Sequence, residues 1–101
     1  MPDEMRIAYE ALVDRILRGP GETTTDRRAQ AFENAAVGSA VDPLLRKVAT
    51  SPTRITDADF DAAGAAGLSE DQLFELVIAS AVGQSTRMYD AALAALHEAA
   101  G

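Results

Sequence analysis

The sequence predicts an all-α fold, with five to six helices around a buried central helix. Three observations predict it. Twenty-one of the 101 residues are alanine, the strongest helix former. Apolar residues recur at helical spacing, and β-branched residues nowhere alternate with polar ones over a strand length. Proline, glycine and capping residues then divide the chain into segments of helical length. A chain this short is read as a single domain, 1–101, without internal repeats, linkers or low-complexity tracts.

The first helix opens after Pro2, with Asp3 and Glu4 in its first turn, where negative charge meets the positive end of the helix dipole. Met5, Ala8, Tyr9, Leu12 and Ile16 share one face, flanked by Val13 and Leu17, and Gly19-Pro20-Gly21 ends the segment. Thr25 or Asp26 caps a second helix through about Ala36, with Gly38 beyond it. Asp42-Pro43 reads as an N-cap followed by proline at the first helical position, opening a third helix that Pro52 stops. Thr56 and Asp59 have the spacing of a capping box and start a fourth helix, closed by Gly64 and Gly67.

The next start is the clearest. Ser69 and Gln72 form a capping-box pair, with Leu68 and Leu73 at the staple positions on either side. The run from Leu73 to Val82 is apolar almost all round, which predicts a central helix over about 69–84, buried on every side. Gly83 to Ser85 ends or kinks it. Thr86 to Ala99 forms a last helix whose alanines permit close helix–helix approach.

Composition excludes several functions. The absence of cysteine removes disulfides, thiolate metal sites and cysteine nucleophiles together. The net charge of −7 argues against nucleic acid, whose binding needs cations on phosphate. That charge lies entirely in residues 55–101, where Arg87 is the one basic group, while charges in residues 1–54 cancel. The Met1-Pro2-Asp3-Glu4 terminus is acidic where a secretory signal is basic, and the uncharged stretch Leu76 to Ser85 is about half a membrane span. A cytoplasmic protein with no membrane association is expected.

The stretch Ile55-Thr56-Asp57-Ala58-Asp59, followed by Ala65-Ala66-Gly67-Leu68-Ser69-Glu70-Asp71-Gln72-Leu73-Phe74-Glu75-Leu76-Val77-Ile78-Ala79, is similar to the alkylhydroperoxidase D-like and carboxymuconolactone decarboxylase superfamily. The resemblance covers roughly 42–97 and implies an all-α, oligomeric protein in which a helical hairpin carrying Glu75 packs against copies of itself. The redox branch of that family implies a Cys-x-x-Cys and a following histidine about twelve residues beyond the glutamate. Here Arg87-Met88-Tyr89-Asp90 and Ala94 stand at those positions, so Glu75 and Tyr89 fit while both cysteines and the histidine do not. Thiol chemistry is excluded by residue type. A second alignment makes this stretch the last helical pair of the decarboxylase branch, whose catalytic residues lie upstream. Either way the resemblance implies a non-catalytic or degenerate member, acting as a homo-oligomer or as an accessory subunit beside a catalytic homologous protein.

The candidate site residues are Glu75, Arg87, Tyr89 and Asp90. Glu75 interrupts the most apolar run of the chain, and a carboxylate desolvated there has a raised pKa suited to a general acid or base. Its structural reading is an interface residue or a buried ion pair with Arg87. Arg87, with Tyr89 and nearby hydroxyls, suits a small carboxylate or phosphate, and its structural reading is a pair with Asp90 or Glu75. Together they define the alternative function, a cysteine-free enzyme or small-molecule binder with a Glu/Arg/Tyr pocket. No cofactor and no metal are expected. His97 is alone and suits a helix end, and Asp57, Asp59 and Asp61 lack the glycine and glutamate that a calcium loop needs. Gly19-Pro20-Gly21 lacks the lysine of a phosphate loop, and the mixed charges of the first helix do not suit an anionic membrane.

Overall fold

The computed structural model describes residues 3–100, and these are helical throughout apart from turns and loops. Pro2, expected to open the first helix, lies outside the described residues. The order is α1 (Asp3–Arg18), α2 (Thr25–Phe32), α3 (Asp42–Thr50), a short 3-10 turn (Pro52–Arg54), α4 (Asp57–Gly64) and α5 (Glu70–Ala100). The first half of α5 is the spine on which α2, α3, α4 and α1 lie. The core gathers Ala31 of α2, Val41, Leu44, Leu45 and Val48 around α3, Ala63 of α4, and Leu73, Leu76 and Ala79 of α5. None of the helices of the described residues is long and apolar enough to cross a membrane.

The start signals act locally as their chemistry requires. Ser69 Oγ accepts from the Gln72 amide at 3.1 Å, and Gln72 Oε1 accepts from the Ser69 amide at 2.8 Å, closing the capping box of α5. Thr56 donates its amide to Asp59 at 2.8 Å at the start of α4. The second helix differs from expectation: Thr24, one residue earlier, is the cap, accepting from the Arg27 amide at 3.2 Å. That helix stops at Phe32, and Asn34 turns the chain at φ 58°, a left-handed conformation that asparagine tolerates. Asp42 is not the cap of α3. Its carboxylate reaches back to the amides of Val37 and Gly38, at 2.8 and 3.2 Å, and closes the preceding loop.

Two expectations for the central helix are corrected. No break occurs at Gly83 to Ser85, because α5 is one helix of 31 residues. Gly83 serves close approach instead of termination: a β-carbon there would run into the Phe32 carbonyl, where the end of α2 crosses α5. Nor is the helix buried on every side. Leu73, Leu76, Ala79, Ser80 and Gly83 face inward, while Phe74 is 65% exposed. Beyond Arg87 no residue of α5 is buried, and the helix continues as an arm carrying exposed Met88 and Leu96.

Two helix ends are closed by arginines from other elements. Arg28 of α2 donates to the Ile16 carbonyl in the last turn of α1, at 3.0 Å. Arg87 of α5 donates to the Phe32 carbonyl at the end of α2, at 2.5 Å. Each supplies a cation and a donor to carbonyls that have no partner within their own helix. Helix α1 has no buried residue and runs antiparallel to α5, with the Tyr9 hydroxyl bonded to that of Thr86 and the loop after α1 meeting Glu75.

Candidate functional site

Glu75 lies one turn beyond the capping box, on the side of α5 that faces the loop between α1 and α2. It accepts the Glu22 amide at 2.6 Å, the Thr23 amide at 3.0 Å and the Thr23 hydroxyl at 2.7 Å. Gln72, one helical turn earlier, donates to the Glu22 carbonyl at 3.3 Å, so α5 grips this loop by both donor and acceptor. Gly21 makes the approach possible, since a β-carbon there would stand 2.7 Å from Glu75 Oε1. The sequence marks a turn at Gly19-Pro20-Gly21 and a carboxylate at Glu75, but nothing local links positions more than fifty residues apart.

The electrostatics of Glu75 reverse the expected direction. Desolvation raises its pKa, but the Glu22 amide, the Thr23 hydroxyl and amide and the charge of Arg28 together outweigh it and hold the carboxyl below its ordinary value. Donors that stabilise the ionised form make Glu75 a poor proton reservoir at neutral pH. Its geometry is that of an anchor.

The other candidates stand elsewhere. Glu75 and Arg87 are twelve positions apart on an unbroken helix, about 18 Å along its axis. A break at Gly83 was the route by which one chain could have folded them together, and the helix is continuous. Besides the Phe32 carbonyl, Arg87 bonds Gln84 Oε1 at 3.0 Å. It pairs with neither Glu75 nor Asp90 among the described residues. Tyr89 is 40% exposed and Asp90 is exposed, both on the arm. His97 lies in the last turn of α5, on exposed surface. Asp59 has a structural partner: Lys47 Nζ reaches both of its oxygens at 2.9 Å, which together with the Thr56 contacts lowers its pKa. Among the described residues no group of three or more acidic or histidine side chains is arranged to hold a metal.

One residue was not legible as a site residue. Arg28 is only 5% exposed, and it lies with Glu75 in a cleft of about 290 Å³ between α1 and α5. In the sequence it reads as one of the charged positions of a short helix, Thr25-Asp26-Arg27-Arg28, and no spacing rule distinguishes it from its exposed neighbour Arg27.

No family model matches the chain, and no curated protein or solved structure matches it.

Proposed function

We propose that the protein is a non-catalytic interaction module, a self-associating accessory subunit built on the helical scaffold that its sequence resembles. The observation that carries this reading is its surface. The chain exposes 6779 Å², whereas a compact monomer of 10.6 kDa exposes about 5,500 Å². The difference, about 1,300 Å², exceeds the roughly 800 Å² that each partner contributes to a standard interface. The arm of α5 and the start of α1 leave Met5, Ile7, Met88 and Leu96 exposed. A second copy can cover such a surface with itself, and the alanines at 91, 92, 94 and 95 keep the backbones close.

Sedimentation equilibrium over a concentration series tests the reading. A mass that is a multiple of 10.6 kDa supports it. A mass of one chain at every concentration up to the millimolar range removes self-association, and the arm is then left for a different partner. Met88→Asp with Leu96→Asp is expected to reduce the mass to one chain while the circular dichroism of the bundle persists.

A further inference from the structure

The cleft between α1 and α5 has apolar walls, Leu12, Ile16, Phe74 and Ile78, and two arginines, Arg15 and Arg28, in its lining. Arg28 is the more informative. Its Nη1 is held by the Ile16 carbonyl, but its Nε is buried without a hydrogen-bond partner. A buried guanidinium with an unmet donor is costly, and such a group is kept where something accepts from it. Arg15 has no ion-pair partner among the described residues either. Glu75 borders the same cleft, yet its oxygens are already committed to Glu22 and Thr23. Two guanidiniums against one carboxylate leave this spot with a net positive charge, in a chain whose total is −7.

We infer that this cleft binds a small amphipathic monocarboxylate. With Nη1 engaged, the Nε–Nη2 edge of Arg28 is the one a planar carboxylate grips with two parallel hydrogen bonds. Arg15 at the rim adds the second cation, and the hydrocarbon part lies against Leu12, Phe74 and Ile78. The volume is at the lower end of the range for small-molecule sites, which favours a short chain or a single ring over a long-chain lipid. Helix α1, which carries Leu12, Arg15 and Ile16 of the cleft lining, has no buried residue and is the wall most easily shifted to admit the ligand. The inference stands on the unmet donor and does not depend on self-association.

Octanoate is the probe, added at millimolar concentration to the full-length isotope-labelled protein. The expected result is saturable amide shifts centred on Leu12, Arg15, Arg28 and Ile78, which octyltrimethylammonium, with the same tail and the opposite charge, does not reproduce. Arg28→Gln removes the clamp on α1 as well as the ligand contact, so two milder variants carry the test. Arg15→Gln is expected to weaken octanoate severalfold, and Ile78→Trp, which fills the cleft, about tenfold or more. Absence of saturable shifts, equal shifts with the cationic probe, or affinity unchanged in both variants overturns the proposal.

Discussion

At the scale of single residues, two glycines and one carboxylate fix how the helices meet. Gly83 sits under the Phe32 carbonyl where α2 crosses α5, so Gly83→Ala is expected to force the two helices apart at a cost of about 3 kcal/mol, read as a lower urea midpoint. Gly21→Ala meets the Glu75 carboxylate, which can give way only by loosening its bonds to Glu22 and Thr23, and is expected to cost about 1 kcal/mol. Glu75→Gln keeps the shape and loses the charge that three donors address, and it is expected to destabilise the protein by about 1 kcal/mol at neutral pH. The pH dependence has a definite sign. A carboxylate held below its ordinary pKa of 4.5 binds fewer protons when folded, so its contribution is complete above that value and lost as pH falls through the lowered one. Asp59 acts in the same direction from its ordinary 3.8. Thermal melts of wild type and Glu75→Gln are therefore expected to differ at pH 7 and to converge as pH falls through the lowered pKa of Glu75; a constant gap would contradict the anchoring role.

At the scale of elements, the sequence was most legible where a signal and its consequence are neighbours. The boxes at Thr56/Asp59 and Ser69/Gln72 and the proline boundaries at Pro43 and Pro52 all have partners within one turn. Ser69→Ala is expected to cost about 1 kcal/mol by the same logic, measured by chemical denaturation. Long-range demands left no local mark. A glycine that ends a helix and a glycine that admits a crossing carbonyl look alike in sequence, and the continuity of α5 through Gly83 was hidden for that reason. Phe74, Val77 and Ile78 read as buried because an all-round apolar helix in a small domain has nowhere else to go; in the single chain, Phe74 and Ile78 face outward. Arg28 and Arg87 were legible as charges but not as closures of α1 and α2, since each works on a carbonyl of a different helix.

At the scale of the whole molecule, shape is the deciding quantity. The chain measures 50 × 29 × 19 Å with a radius of gyration of 15.1 Å, against about 13 Å for a compact domain of this length. The proposed association through the arm would bring together chains that each carry −7, so added salt is expected to strengthen it by screening, the reverse of a contact built on ion pairs. Sedimentation at low and high ionic strength checks the sign. The arm has a further consequence for how long the protein lasts. A helical stretch of this length without tertiary support is marginal in water, so the amides after Arg87 are expected to exchange with solvent quickly in an isolated chain, and the tail to be open to proteases when it frays. Coverage by a second chain, as proposed, is expected to slow both. If the proposed association holds, hydrogen exchange in the arm becomes a gauge of how crowded the protein is with copies of itself, and chains left without company are expected to be cut first.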